Sequence, residues 1–487
     1  MNESTVTAGP GSREAARTPA VPIAEEIRRV FQEQRASALR LRSSPLSERI
    51  GKLERLRAGI LAHRADLERA VSLDLGRPVV ETRLAEFVPL LSDIAQYRRC
   101  LRRWLAPRRV RPTLLMLGTR AWVRREPRGR CLIISPWNYP LVLTLGPLIA
   151  AVACGNTTVV KTSELAPHSS AVLARLLRET FEESEVAVFE GDATVAGMLL
   201  DQPFDHMFFT GAPAIGKVVM AAAAKHLASV TLELGGKSPA IIDSNADLAL
   251  AVKTLAWTKF LNAGQTCLAP DHVYVHAPAY ERVVRLFKER LQAWYGDGAT
   301  ASADLGRIVN ERHAQRLAEL LTDARVRGAE VLHAGTADVA GLFVSATLLG
   351  GIPPEARIMQ EEIFGPLLPL VPYESLDDVI ERINGAPKPL AMYIWTRDRR
   401  TAESLIEHTS AGGTCINHSA AQFLHHNLPF GGVNHSGIGS YHGEWGIRAF
   451  AHERAVVETR TLLARAFFPP YGARSRRAIE LLMKWLS

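Results

Sequence analysis

Cysteine is scarce in this chain of 487 residues: there are five, at positions 100, 131, 154, 267 and 415, with no CxxC pair and no short spacing. An odd, scattered set excludes a disulfide framework and a thiolate zinc site. Four of the five read as small buried hydrophobes. Long apolar runs are missing as well. The best candidate, Pro140 to Gly155, holds two prolines and two glycines and falls short of the roughly 18 to 20 apolar residues of a spanning helix. Residues 1 to 22 lack the apolar stretch of a signal peptide and read as a flexible tail, which points to a cytoplasmic protein. The dinucleotide fingerprint GxGxxG does not occur. Nor does a zinc pattern such as HExxH, although His418, His425, His426, His435 and His442 crowd one stretch; no metal is expected there.

What is present is the composition of a soluble globular protein, with 47% apolar and 22% charged residues in a length that one core rarely supports, so two or more domains are expected. The net charge of +8 lies partly in arginines between 98 and 130. A basic run of this kind suits nucleic acid or an anionic membrane. No nucleic-acid motif accompanies it, and a solvated helix face followed by a hairpin explains it better. The interleaved Trp104, Leu114, Leu115, Met116, Leu117 and Trp122 suggest packing against another subunit.

Apolar spacing of three and four predicts amphipathic helices from Arg49 to Ala70 and on to Trp104. Strands are predicted at 131–134, 157–160, 186–189 and 205–208, alternating with helical stretches after 140 and at 168–181, 192–200 and 214–226. Strands alternating with helices imply βαβ units and a mostly parallel sheet. The segment Val230–Glu233 then leaves this unit. A second α/β unit opens at 239–242 and extends to about Ile416, with helices at 247–261, 279–294 and 310–327 and strands near 272–276, 330–334 and 342–346.

The segment Gly264-Gln265-Thr266-Cys267 and, upstream, Glu233 within Leu232-Glu233-Leu234-Gly235-Gly236-Lys237 pair a nucleophile with a base. A thiolate attacks well only where its pKa falls from about 8.5, and a carboxylate activates water for a later hydrolysis. Together they suggest acyl-enzyme chemistry. Gly211 through Gly216-Lys217 has P-loop spacing, but Val218 stands where a Mg²⁺-binding hydroxyl belongs. What remains is a strand, a glycine turn and a helix N-terminus, a site for a diphosphate or an ordinary βα turn.

These two segments resemble the active-site segments of the NAD(P)-dependent aldehyde dehydrogenases. Other pieces follow in the same order: Pro136-Trp137-Asn138-Tyr139-Pro140, Lys161-Thr162-Ser163-Glu164, Phe209-Thr210-Gly211, Glu362-Ile363-Phe364-Gly365-Pro366 and Leu428-Pro429-Phe430-Gly431-Gly432. The similarity runs from about Ala65 to the C-terminal region. Ala269-Pro270-Asp271 and Ser440-Tyr441-His442-Gly443 look most like the class 3 branch, which includes fatty, aromatic and coniferyl aldehyde enzymes.

The resemblance implies an α/β fold: a Rossmann-type cofactor domain over 23–104 and 128–232, a catalytic domain over 233–416, and β-rich bridging segments at 105–127 and 417–460 used for homodimerisation. Residues 461–487 form a C-terminal tail helix whose apolar face touches a membrane, gates the substrate funnel or docks on its own domain, the last two preferred. It implies Cys267 as nucleophile, Glu233 as base and Asn138 with the Cys267 amide as oxyanion donors. Trp137, Lys161, Glu164, Thr210, Gly211, Gly216, Glu362 and Phe364 are the matching cofactor positions. Glu164 favours NAD, and Lys161 beside it leaves NADP open. Ala212 and Thr162 stand where relatives commonly have serine and proline. By position, Tyr139, Trp257, Leu261, Phe423 and Leu424 line an apolar tunnel. Relatives that pass the acyl group to coenzyme A lack the matching glutamate, so Glu233 points to a free acid as product. A cofactor-independent cysteine esterase and a non-catalytic peripheral membrane or scaffold protein are the alternative readings.

Overall fold

The computed structural model describes residues 22–113, 116–298, 302–459 and 468–486. The flexible tail expected at the N-terminus lies outside them except for Pro22.

Short β-branched runs bounded by glycine and helix caps form a six-stranded sheet. Its order is Gly437–Ile438, Ser229–Leu234, His206–Gly211, Arg130–Ile134, Thr157–Lys161 and Val186–Phe189, parallel except for the first, short strand. Successive side chains of a strand face opposite sides, and both sides here are apolar. Leu132 and Ile134 pack under the helices Ile23–Arg42, Ala193–Leu200 and Pro213–Lys225. Cys131 and Ile133 face the other layer, built from Leu46–Ala62, Arg64–Leu75, Val88–Leu105, Val142–Cys154 and Pro167–Thr180. The helix Val142–Cys154 is buried along its whole length, which explains its nearly continuous apolar sequence. Among the described residues no helix is long and apolar enough to cross a membrane.

A seven-stranded sheet follows, in the order Glu330–His333, Thr347–Gly350, Leu367–Tyr373, His272–His276, Pro239–Ile242, Ala391–Trp395 and Gly413–Ile416, with only the first strand antiparallel. The strand expected at 342–346 is two pieces, Phe343–Val344 and Thr347–Gly350, which join different sheets. Helices Leu248–Phe260, Tyr280–Tyr295 and Glu311–Val326 cover one face, and Leu376–Gly385 and Arg399–His408 the other. The architecture is the expected α/β class. A third, antiparallel sheet joins Arg108–Val110, Thr119–Pro127 and Ala451–Thr459.

The basic stretch is a helix face followed by a hairpin, with Arg98, Arg99, Arg102 and Arg103 exposed. Trp104 corrects the expectation of a subunit contact: it is buried within the chain, edge-on to Tyr97. Met116 and Leu117 are exposed, and Leu114 and Leu115 lie outside the described residues. The C-terminal helix Ala473–Leu486 does form. Its expected docking on its own domain is not seen: none of residues 473–485 is buried, and Leu481, Met483 and Trp485 are exposed.

Candidate active site

The strands of the first sheet end level with one another. Ile134 pairs with Lys161 on one side and Phe209 on the other, and Thr210 pairs with Glu233. The chain winds away from Arg130–Ile134 in both directions, and open α/β sheets bind ligands beyond the carboxyl ends of strands at such a reversal. Trp137 and Asn138 stand in the turn that leaves this strand. Lys161 closes the next strand, with its Nζ 2.7 Å from Glu164 Oε2. Thr210 and Gly211 close the third, and Gly216 lies in the first turn of Pro213–Lys225.

That helix has no side-chain cap, so its positive end is available to an anion. Beside it the buried Thr210 hydroxyl has no hydrogen-bond partner. A Cβ on Gly235 would run into the Glu362 carboxylate, so glycine at this position lets that carboxylate lie close against the backbone. Phe364 holds a left-handed backbone with φ 46°, unusual for a bulky residue and a mark of functional sites. Its ring meets Trp137 edge-on at 5.5 Å. An uncapped helix end and an unpartnered buried hydroxyl at the carboxyl edge of the sheet fit a dinucleotide.

Cys267 follows the helix Leu248–Phe260 and the tight turn Leu261–Gly264, where Asn262, Ala263 and Gly264 all have positive φ. A side chain on Gly264 would strike the Gly365 carbonyl, which ties this turn to the Glu362–Pro366 segment. Gln265 is buried and donates to the carbonyls of Asn262 at 3.0 Å and Arg307 at 2.9 Å while accepting from Val309 N at 3.0 Å. Asn138 Nδ2 donates to Gln265 O at 3.1 Å, so one N–H of that amide is left for another acceptor. The Tyr139 hydroxyl pairs with Thr266 Oγ1 at 2.7 Å.

In front of Cys267 opens a cavity of about 120 Å³ lined by Leu84, Ala85, Tyr139, Val142, Leu143, Trp257, Thr258, Leu261, Thr266, Leu268, Ala420, Phe423 and Leu424. One water needs only roughly 10 to 15 Å³. The structure thus brings all five sequence-derived tunnel positions around the thiol. Burial, then the Glu362 and Glu233 carboxyls, push the Cys267 thiol up to about 12, the opposite of the fall expected of a nucleophilic cysteine, so a base has to take its proton before it attacks. Burial alone raises the Glu233 carboxyl well above its ordinary range, and neither of its oxygens has a partner. Burial also lifts Glu362 to about 7, against the Gly236 N–H.

Several residues of the site escape sequence reading. Lys237 reaches Asp271 Oδ1 at 2.5 Å, and Asp271 Oδ2 accepts from Ile363 N at 2.9 Å, so one ion pair links the Glu233, Cys267 and Glu362 segments. Burial alone would raise the Asp271 carboxyl, but Lys237 and His272 bring it well below its usual range. His313 packs on Trp137 at 5.4 Å, and burial, then Arg316 and Arg312, lower its imidazole to about 4. Arg77, Glu86 and Asn262 hold the back of the cysteine turn. Lys237 and Asp271 stand inside quoted motifs, and the others carry no local signal. His426 lies 2.8 Å from Ser92 Oγ and 2.7 Å from Asp93 Oδ1, anchoring the loop of Phe423 and Leu424. Among the described residues no cluster of three or more His, Cys, Asp or Glu is arranged to hold a metal ion.

The profile of the aldehyde dehydrogenase family matches residues 5–456. The chain belongs to that family. The dehydrogenase is 37% identical over 449 residues to the 4,4'-diaponeurosporen-aldehyde dehydrogenase of Staphylococcus aureus, covering 92% of this chain and 97% of the relative. It is 38% identical over 456 residues to the dimeric NADP-preferring aldehyde dehydrogenase of Canis lupus familiaris, covering 93% and 99%. Among solved structures, the substrate-bound Staphylococcus aureus AldH superposes with a TM-score of 0.89 at 36% identity, covering 94% of this chain and 99% of that one. The protein is therefore an NAD(P)-dependent enzyme that oxidises an aldehyde.

Proposed function

We propose that this dehydrogenase converts an apolar aldehyde, aromatic or medium- to long-chain aliphatic, to the free carboxylic acid. The observation that carries the proposal is a cavity of almost wholly apolar side chains ending at the Cys267 thiol. Cys267 Sγ, once deprotonated, attacks the aldehyde carbon and forms a thiohemiacetal. The free N–H of Asn138 and the Cys267 amide donate to the new oxyanion. What NAD(P) supplies when bound is a hydride acceptor, held by the end of helix Pro213–Lys225, Thr210, Gly211, Gly216, Lys161, Glu164, Trp137, Glu362 and Phe364. Glu233 takes a proton from water, which hydrolyses the Cys267 thioester. Its buried carboxyl, with no salt bridge, is a stronger base than an exposed one. NAD is the preferred cofactor. The Lys161–Glu164 pair offsets the repulsion between Glu164 and a 2'-phosphate, which supports use of NADP too.

Rates of NADH formation across straight-chain aldehydes test the substrate class. Each added methylene buried in the cavity contributes about 0.8 kcal/mol, roughly fourfold in kcat/KM, until the chain leaves the cavity. Short hydrophilic aldehydes turned over as well as octanal or benzaldehyde would refute it. All five cysteines are unpaired, in keeping with a reducing cytoplasm. A homodimer is favoured by the nine-residue strand Ala451–Thr459, which among the described residues has no neighbour on its outer side, since a long open edge is an unusual feature for a solitary chain.

A further inference from the structure

Arg77 sits behind the cysteine turn with 1% of its surface exposed, and its planar head points at three different segments. Nε donates to Asn262 Oδ1 at 2.9 Å, Nη1 to Glu86 Oε1 at 2.5 Å, and Nη2 to the Asn138 carbonyl. The guanidinium also lies over the Tyr139 ring, 4.5 Å from its centre. The second Glu86 oxygen accepts from Leu141 N at 2.7 Å and Val142 N at 3.1 Å, where helix Val142–Cys154 begins without a side-chain cap of its own. Asn262 Nδ2 reaches the carbonyls of Asn138 at 3.0 Å and Gln265 at 3.1 Å. Since Asn138 Nδ2 also donates to Gln265 O, Arg77, Asn262, Gln265 and Asn138 close a hydrogen-bonded ring.

We propose that Arg77 is a positioning residue for aldehyde oxidation, fixing the Asn138 amide relative to Cys267. The proposal rests on the reading of Asn138 as an oxyanion donor given above. Stability alone does not call for this arrangement, because an apolar pair of similar volume often serves a fold as well as a buried ion pair. An arginine fork holds several acceptors in one plane at fixed angles, which a single ammonium cannot do. Its bonds to the Asn138 and Cys267 turns meet what a preorganised oxyanion site requires, donors held in place before charge develops.

The test compares the full-length wild type with Arg77→Lys and, should that variant fold poorly, with the double variant Arg77→Met/Glu86→Gln, which removes both buried charges. Steady-state oxidation of benzaldehyde and the rate of Cys267 alkylation by iodoacetamide are measured side by side. Alkylation is a displacement of iodide that builds no oxyanion, so it reports the thiol without Asn138. Arg77→Lys should lower kcat roughly 100-fold, the cost of a small misplacement at a reacting centre, with KM and the alkylation rate little changed. On an Asn138→Ala background the same substitution should cost almost nothing further. A wild-type kcat in the folded variants, an alkylation rate that falls in step with kcat, or additive effects would overturn the proposal. An Asn138→Ala enzyme at the wild-type rate would overturn the role given to Asn138 itself, and that result stands apart because it needs no change at Arg77.

Discussion

In front of Cys267 lies a cavity of apolar side chains, whereas behind it every side-chain polar atom of Asn262 and Gln265 is paired with a neighbour. Apolar walls carry few donors or acceptors that must be met, so the front constrains shape more than hydrogen bonding. The back permits no slack, because a buried donor or acceptor that loses its partner costs about 1 to 3 kcal/mol. The contrast supports the proposal that the front selects the substrate and the back sets the rate of reaction.

The largest effect should come from the residue between them. Cys267→Ala should abolish aldehyde oxidation while calorimetric binding of NAD or NADP persists, since the proposed cofactor residues lie on other segments. Turnover near wild type would remove Cys267 from the mechanism. Next in size, Glu233→Gln should slow thioester hydrolysis by about 100-fold or more and leave a stoichiometric burst of NADH visible in stopped flow. Loss of burst and steady state together would deny Glu233 its role with water. The pH dependence has a definite sign. Burial raises the Glu233 carboxyl, so it is protonated at pH values where an exposed glutamate is already charged, and hydrolysis should accelerate as pH rises through that elevated value. The Gln variant should lose this dependence. It should also gain thermal stability over wild type, more at pH 8 than at pH 5, because the wild type must keep a buried carboxyl protonated against rising pH.

The smallest effect sharpens the division between front and back. Phe423→Ala widens the cavity, and it should lower kcat/KM for long-chain or aromatic aldehydes about tenfold while sparing short ones. Arg77→Lys should depress all aldehydes alike. A uniform loss in Phe423→Ala would erase the distinction drawn here.

Much of the α/β pattern was legible in the chain because buried parallel strands are short apolar runs between turns. Cys131–Ile134 and Pro239–Ile242 are of this kind. The helix Ile23–Arg42 carries a weak sequence signal, since its buried Ile27, Val30 and Phe31 are diluted among arginines and glutamates. The strands beyond residue 360 are equally faint in the sequence. Leu367–Tyr373 contains two prolines, a composition that argues against a strand although it is an inner one here. An aromatic among arginines, as Trp104 is, reads as surface until the helix Val88–Leu105 shows which face it presents. The tail helix leaves Leu481, Met483 and Trp485 exposed, where no period in the sequence says what they meet.

The motifs around Glu233, Cys267 and Glu362 were determined by the sequence alone, as were the alternating elements and the apolar character of the tunnel residues, because each is written in adjacent residues. Tertiary structure alone decided that Arg77 meets Asn262 and Asn138, that Lys237 joins three motifs, and that Glu233 stands unpartnered. Hydrogen bonds between segments far apart in the chain have no period, and a carboxyl's basicity is set by what surrounds it once the chain has folded.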